Sequence, residues 1–352
     1  MSEPTSSFPA ALEWDQQAQP GVWVIPPPRQ RWWLYGLFLL LTLFSTMVVG
    51  SGMEFNFQHH QPVFSLNDDT LSLFPIGWIA QHPVNLLLGL PFSLTLMFIL
   101  FAHEMGHYLC ARHYRVYATL PFFVPFPSLI GTLGAFIRIK SPIPSRAALF
   151  DIGIAGPIAG FIPACIALIY GLSLSRPIVT ATPSEIQLGF PLAFHLTARL
   201  LHIAVPLSAL SLHPIAAAAW VGLFATALNL LPGGQLDGGH IAFSISPSLH
   251  GWVSLLTVFT LVPFGKYLWT GWFLWAVMLS LTLRHPRVPR YPEVSGGRRA
   301  LALCAALMLV LSFTPAPFTH SSGREVWPEI RDGARGTLHD FRDGVRHLLH
   351  RR

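Results

Sequence analysis

The sequence predicts an all-α polytopic membrane protein with about six to seven transmembrane helices and a re-entrant or β-hairpin loop after the second. Hydrophobic residues make up 52% of the 352 residues and charged residues only 11%, whereas roughly 25% of an ordinary soluble domain is charged. Apolar runs near the ~20 residues that cross the hydrocarbon of a bilayer recur along the chain. A stretch rich in proline and glycine, between residues 116 and 145, interrupts these runs.

The apolar runs are the candidate membrane crossings. They cover about residues 32–53, 86–110, 147–174, 214–231, 252–283 and 300–313, the last extending at most to 318. Gly265-Lys266 divides the fifth run into two pieces that are each short for a crossing. This run therefore crosses the membrane either once or twice.

Arginines between the runs predict their orientation. They precede the first run, follow the second and precede the last. These three positively charged segments lie on the same side of the membrane only if the fifth run crosses twice. Because positively charged loops stay in the cytoplasm, residues 1–31 are predicted to be a flexible cytoplasmic leader before a transmembrane domain at 32–318. Residues 319–352 place apolar side chains near helical spacing among charges. They predict an amphipathic tail that lies on a membrane face or caps the domain.

The stretch between residues 116 and 145 cannot be a lipid-facing helix, because its prolines and glycines would leave backbone groups unpaired in hydrocarbon. Its apolar character disfavours a plain surface loop. Gly131 and Gly134 lie in its second half. We therefore expect a hairpin or re-entrant loop packed beside the second span.

The charge distribution limits the possible partners. The net charge of +6 arises almost wholly from arginines between the apolar runs or in the tail. They do not form one interleaved basic and aromatic face, so nucleic acid is not expected as a partner. The three cysteines lack the paired spacings of thiolate metal sites or disulfide frameworks. The lipid bilayer is the predicted partner, and the sequence leaves the oligomeric state undetermined.

Ionisable side chains inside a membrane span are costly and usually functional. The second run contains His103-Glu104-Met105-Gly106-His107. On a helix, His103 and His107 are ~40° apart around the axis and ~6 Å apart along it, so both imidazoles project from one face and can bind one zinc ion. Glu104 lies beside that face, as needed for a carboxylate that accepts a proton from water without binding the metal itself.

A catalytic zinc ion normally takes three protein ligands, so a third ligand is needed. The downstream glutamates lie in polar loops or the tail, which leaves Asp151 and Asp237. Asp151 starts the third run, where it could equally be an ordinary residue at a helix N-terminus. Asp237 follows Pro232-Gly233-Gly234, a break that would let a carboxylate turn inward. Spacing leaves both candidates open and favours Asp237 only modestly.

Other histidines near the runs have ordinary interpretations. His240 is predicted to complete a turn or to hydrogen bond beside the metal ligands. His113 is predicted to be an interfacial residue just beyond the second span.

These residues resemble the site-2 protease family of intramembrane metalloproteases, peptidase family M50. His103 to His107 is similar to the H-E-x-x-H of that family, and Asn229-Leu230-Leu231-Pro232 with Leu236-Asp237-Gly238 is similar to its N-x-x-P and L-D-G signatures. The resemblance covers about residues 86–240, the predicted core of the metalloprotease domain. Segments 131–136 and 151–160 resemble the branch that includes bacterial members and plastid homologues.

The resemblance implies one Zn²⁺ per chain, bound by His103, His107 and Asp237, with Glu104 as the general base. It implies that Asn229 helps to hold the substrate or the tetrahedral intermediate. Family members cleave helical segments of membrane proteins after local unwinding, so such proteins are the expected substrates.

The loop that contains Gly131 and Gly134 is a candidate edge for binding an unwound substrate strand. Some family members carry an inserted PDZ domain between the central spans, but residues 174–214 are too few for one. The expected location is a bacterial inner membrane. The active site is expected to face the cytoplasm, because the motif lies toward the basic end of its span.

Two other functions compete with proteolysis. A membrane transporter or channel would also bury a cluster of histidines and acids, but its polar residues should be spread along several spans. A catalytically silent relative could act as a scaffold, although the intact Glu104 argues against this.

Overall fold

The computed structural model describes residues 31–64, 74–178, 187–286, 288–289, 294, 296–319 and 324. The helices are α1 (Trp32–Gln58), α2 (Ile76–Gln81), α3 (Leu90–His113), α4 (Arg146–Leu174), α5 (Leu192–Leu200), α6 (Pro214–Leu230), α7 (Asp237–Ile245), α8 (Pro247–Tyr267), α9 (Gly271–Leu281) and α10 (Gly296–Ser312). The strands are β1 (Phe122–Pro125), β2 (Thr132–Phe136), β3 (Arg176–Pro177) and β4 (Leu210–Ser211). The predicted helical class is confirmed. The predicted leader and tail lie outside the described residues, apart from Arg31, Thr319 and Arg324.

Four described helical segments are long and apolar enough to cross a membrane. They are α1, the segment Pro83–His113 that joins a 3₁₀ turn to α3, α4 and α8. Helices α6 and α9 are apolar but shorter. The count of about six to seven crossings therefore stays a prediction.

The outward faces of the long helices are apolar. Phe98 of α3 is 61% exposed, and Leu256 and Phe259 of α8 are each 66% exposed. Large exposed apolar side chains of this kind are unfavourable in water, whereas the hydrocarbon of a bilayer solvates them. The exposed faces thus agree with insertion of the helices into a membrane.

Helices α3, α4 and α6 pack against one another, and α7 packs against α4. A Cβ atom added to Gly106 of α3 would lie 2.4 Å from the Ala155 carbonyl oxygen of α4. One added to Gly171 of α4 would lie 2.3 Å from the Ala216 nitrogen of α6. Small residues let helix backbones approach closely, and the resulting van der Waals contact holds helices together in lipid.

An antiparallel pair of strands, β1 and β2, lies between α3 and α4. Gly131 in its turn has φ of +77°, a conformation that side chains with a Cβ rarely adopt. The Gly131 carbonyl oxygen accepts a hydrogen bond of 2.6 Å from the Ser45 hydroxyl of α1. The tip of this hairpin is therefore fixed against the first helix.

The fifth apolar run is divided into two helices as predicted, but the predicted position of the break, Gly265-Lys266, is wrong. Helix α8 continues through both residues, and the break before α9 comes at residues 268–270. A single glycine lowers the stability of a helix by only about 1 kcal/mol relative to alanine. The small size of Gly265 lets α9 pack closely, because a Cβ at this position would lie 2.8 Å from the Phe273 ring. Helix α8 also begins before residue 252, because Ser246 caps its first turn and Pro247 starts it.

The connection from α4 to α6 is short. Its described residues, 175–178 and 187–213, contain α5 and the two-residue strands β3 and β4, which pair with each other. No inserted PDZ domain is evident among them.

Candidate metal centre and catalytic site

His103 and His107 lie one turn apart on α3, and both side chains are buried. Their Nε2 atoms are 3.2 Å apart. The Nδ1 atom of His107 lies 2.7 Å from the Ile152 carbonyl oxygen of α4. A ring that donates its Nδ1 proton to a carbonyl keeps an unprotonated Nε2, which is the form that binds metal. The contact with α4 thus sets both the orientation and the tautomer of His107.

Two glycines of α4 make room for these rings. A Cβ atom on Gly156 would lie 2.1 Å from the His107 Nε2 atom, and one on Gly160 would lie 2.9 Å from the His103 Cβ atom. Both distances are shorter than non-bonded carbon and nitrogen atoms tolerate. A larger residue at either position would therefore displace an imidazole.

Asp237 reaches the histidines from the first turn of α7. One carboxylate oxygen, Oδ2, lies 3.3 Å from the Nε2 atoms of both His103 and His107. The chain turns sharply between α6 and α7, where Gly234 has φ of +58°. A Cβ on Gly238 would lie 2.2 Å from the Leu230 carbonyl oxygen, so the start of α7 folds tightly against the end of α6. This turn brings the carboxylate inward.

The three donor atoms fit a zinc ion. They are separated by 3.2 to 3.3 Å. Ligand atoms around a tetrahedral zinc ion with bonds of about 2.0–2.1 Å are also roughly 3.3 Å apart. Two neutral imidazoles and a carboxylate form a donor set that zinc enzymes use, and three ligands leave a fourth position for water or substrate. His103, His107 and Asp237 therefore have the identity and spacing of a catalytic zinc site.

Glu104 is buried next to this triangle and does not belong to it. Its Oε2 atom accepts a hydrogen bond of 2.9 Å from the backbone N–H of Ile137, just after β2. The hairpin thereby holds one carboxylate oxygen and leaves the other for chemistry. Both Glu104 and the zinc triangle open onto a cavity of about 280 Å³. Its described lining also includes Ala135, Phe136, Ile137, Asn229 and His240.

Asn229, near the end of α6, lies at the rim of the triangle. Its Nδ2 atom is 3.4 Å from the His103 Nε2 atom. When that nitrogen binds a metal, its lone pair is occupied, so the Asn229 amide has its N–H groups available to another acceptor. A donor at this position suits an oxygen that becomes negatively charged beside the metal.

The family comparison agrees with this geometry. Residues 91–255 match the description "Peptidase family M50". The chain contains a peptidase family M50 domain. All residues of the triangle, Glu104 and Asn229 lie within the matched region.

Curated relatives point to the same family. The chain is 29% identical over 324 residues to "Probable zinc metalloprotease EGY1, chloroplastic" of Arabidopsis thaliana, covering 88% of this chain and 56% of the relative. It is 30% identical over 311 residues to the protein of that name from Oryza sativa subsp. japonica, covering 82% and 52%. It is 30% identical over 294 residues to "Probable zinc metalloprotease EGY2, chloroplastic" of Arabidopsis thaliana, covering 82% and 50%.

The chain thus spans about half the length of these curated relatives. Their names agree with the predicted zinc metalloprotease family. The same names place those proteins in chloroplasts, which does not support the predicted bacterial inner membrane.

Asp151, the alternative third ligand, has other partners. Its carboxylate accepts hydrogen bonds from Arg298 at 2.8 Å (Nε to Oδ1) and 2.7 Å (Nη2 to Oδ2), and one from the Tyr114 hydroxyl. Ser145, rather than Asp151, caps α4. Asp151 therefore ties α4 to α10 and to the end of α3, away from the zinc triangle. No pattern in the residues pointed to Arg298 as its partner.

His240 faces the cavity on one side and His285 on the other. Its Nδ1 atom lies 2.8 Å from the His285 Nε2 atom, and the His285 ring stacks on Phe243 with centroids 3.9 Å apart. Burial lowers the pKa of His240 to about 4, with Asp237 opposing and His285 reinforcing the shift. His240 is thus neutral near pH 7. The side chain of His240 thus bonds to His285 rather than to one of the metal ligands, and no spacing pattern in the sequence pointed to His285.

Gly131 and Gly134 do not line this cavity. Gly131 packs against α1, and the N–H of Gly134 donates a hydrogen bond of 2.9 Å to the Thr132 hydroxyl within β2. Both shape the hairpin, and their contact with substrate stays a prediction.

Exchanging each aspartate for asparagine separates the two candidate ligands. Asp237→Asn is expected to lower zinc affinity by at least about tenfold, because a neutral amide is a poorer ligand than a carboxylate. Asp151→Asn is expected to keep zinc near the wild-type content and to lower the melting temperature, since it weakens the bond to Arg298. Zinc content measured by mass spectrometry of purified protein, with thermal unfolding alongside, checks both. Normal zinc in the first variant and loss in the second would reverse the assignment.

Proposed function

We propose that the M50 domain is an intramembrane zinc metalloendopeptidase that hydrolyses peptide bonds in or near transmembrane segments of membrane proteins. One observation supports this most strongly: His103, His107 and Asp237 converge within 3.3 Å of one another, with Glu104 in the same cavity. The site lies among apolar helices rather than in a soluble cleft. A site so placed suits substrates that are themselves in the bilayer.

The roles of the side chains follow from their positions. Zinc held by the triangle would supply Lewis acidity toward water and the peptide carbonyl. Glu104 takes a proton from the attacking water and returns a proton to the nitrogen of the leaving amine. The net reaction consumes one water and yields a carboxyl group and an amine. The Asn229 amide donates a hydrogen bond to the carbonyl oxygen as its negative charge grows.

We further propose that an unwound segment of the substrate pairs with β2. This strand has one partner, β1, among the described residues, so its other edge has no strand beside it. Ala135, Phe136 and Ile137 line the cavity and lead to Glu104, which Ile137 contacts directly. An extended peptide on this edge would form backbone hydrogen bonds that do not depend on its sequence. Such pairing would hold the scissile bond beside the general base.

The arrangement in the membrane is also a proposal. We place the two shorter apolar helices and α10 across the bilayer with the four long ones, which gives seven crossings, within the predicted six to seven. His103 and His107 lie in the second half of α3, toward Arg112. The positively charged side faces the cytoplasm in a cell membrane, so the active site is placed on that side.

Removal of the metal tests the proposed activity. The full chain would be reconstituted with single-span substrates, one containing glycine and proline within the span and one of leucine alone. Cleavage of the first substrate is expected, with loss after treatment with 1,10-phenanthroline and recovery on adding about one equivalent of Zn²⁺. The leucine span serves as the control because it resists unwinding. Cleavage that persists without metal contradicts the mechanism, and zinc-dependent ion flux without cleavage would favour a transporter.

A further inference from the structure

A second cavity of about 490 Å³ lies apart from the metal site. Among the described residues, it shares no lining residue with the cavity around His103. Three helices begin beside it: α4 with Arg146, α8 after Ser246, and α10 with Arg299 in its first turn. Its described lining is Arg146, Ser244, Ile245, Ser246, Pro247, Ser248, Val294 and Arg299.

The charge of this cavity is positive and uncompensated among the described residues. Both Arg146 and Arg299 line it, and its described lining contains no carboxylate. In the described part of the chain, neither guanidinium forms an ion pair, whereas the adjacent Arg298 is bound to Asp151. The Nε atom of Arg146 is buried and makes no hydrogen bond. A buried donor without an acceptor costs roughly 1–3 kcal/mol, so an acceptor at this position would be stabilising.

The helix termini add to the positive potential. The N-terminus of a helix carries a partial positive charge from its unpaired N–H groups, and a basic residue there is unfavourable. Two arginines nevertheless lie in first turns, where three such termini meet. An anion in the cavity would relieve this repulsion and accept hydrogen bonds from several donors at once.

We propose that this cavity binds a phosphate group. A phosphate presents several oxygens to planar guanidinium donors, and helix N-termini are established phosphate sites. The hydroxyls of Ser246 and Ser248 supply further donors. The group can belong to the headgroup of an anionic phospholipid, since basic pockets between membrane helices bind such headgroups, or to a soluble phosphate. This proposal stands on the cavity alone and does not depend on the protease activity.

The test compares two double variants of the full chain. Arg146→Gln with Arg299→Gln removes both guanidinium groups from the cavity. Arg112→Gln with Arg115→Gln removes two exposed arginines at the C-terminal end of α3, neither of which lines the cavity. Both double variants lose the same charge. A difference in phosphate binding between them therefore arises from the cavity and not from the change in net charge. Zinc content and thermal unfolding show whether each variant is folded.

Two probes distinguish the possible sources of the phosphate. Inorganic phosphate is titrated into the detergent-solubilised protein, and nanodiscs with phosphatidylglycerol or phosphatidylcholine are analysed by native mass spectrometry for retained lipid. The wild type is expected to bind at least one probe about tenfold more tightly than the cavity variant, and the Arg112/Arg115 variant to match the wild type.

Binding of inorganic phosphate would identify a soluble ligand, and retention of phosphatidylglycerol alone would identify a headgroup. Equal binding by the cavity variant and the wild type would overturn the proposal, as would equal weakening by both double variants. If the cavity double variant does not fold, the single variant Arg299→Gln is used to test phosphate binding instead. The Arg299 side chain is exposed, so its loss leaves the packing intact. Unchanged binding of both probes by this single variant would overturn the proposal.

Discussion

Glu104→Gln is expected to lower peptide hydrolysis by about a thousandfold or more while leaving zinc content unchanged. The amide has nearly the same volume as the carboxylate, and its carbonyl oxygen can still accept the hydrogen bond from Ile137. It cannot accept a proton from water, and general base catalysis contributes about 10²–10⁴ in rate. Glu104 lies outside the zinc triangle, so the metal should stay bound.

The measurement is initial cleavage rate in proteoliposomes, with zinc determined on the same preparation. Glu54→Gln is a matched control, because Glu54 also lies in a long apolar helix, and it accepts a hydrogen bond from Gln58 one turn later in that helix. Its rate should equal that of the wild type. Equal cleavage by the Glu104 variant and the wild type would exclude Glu104 as the base, and loss of zinc would indicate that Glu104 supports the metal instead.

Gly156→Ala is expected to lower zinc affinity by at least about 100-fold, and hydrolysis with it, while the protein remains folded. The added Cβ atom would lie 2.1 Å from the His107 Nε2 atom. The imidazole must rotate away, which removes a ligand and breaks the bond from Nδ1 to the Ile152 carbonyl. Helix α4 itself tolerates the change, because alanine favours a helix more than glycine does.

Gly251→Ala in α8 is the matched control, since nothing lies within 4 Å of the added atom. Zinc binding, measured by competition with a chromogenic chelator, should be unaffected in this variant. Thermal unfolding shows whether Gly156→Ala remains folded. A folded Gly156→Ala protein that binds zinc as tightly as the wild type would show that α3 and α4 are farther apart than the structure places them.

The part of the site that depends on local helical spacing could be predicted from the sequence. His103 and His107 meet because residues four apart share a helix face, and this holds in almost any context. Asp237 could be selected only through the resemblance to a family, because its approach depends on the turn after α6. Spacing alone could not distinguish it from Asp151.

Contacts between distant parts of the chain could not be predicted. Arg298 lies 147 positions from Asp151, and nothing in the residues between them specifies that they meet. The break between α8 and α9 was misplaced for a related reason. Glycine often ends a helix, but Gly265 lies inside α8, where its small size makes room for the Phe273 ring of α9.

The hydrogen bonds from Arg298 to Asp151 also bear on how much of the chain is needed for the domain to fold. The segment that matches the family ends at residue 255. Arg298 nevertheless links this segment to the later helix α10 through Asp151. Beyond residue 255, the fully buried Trp272 donates a hydrogen bond of 2.7 Å to the Pro315 carbonyl. A chain cut after residue 255 would leave Asp151 without its guanidinium partner and would expose the apolar face of α6. The compact unit therefore extends well beyond the segment by which the family is recognised.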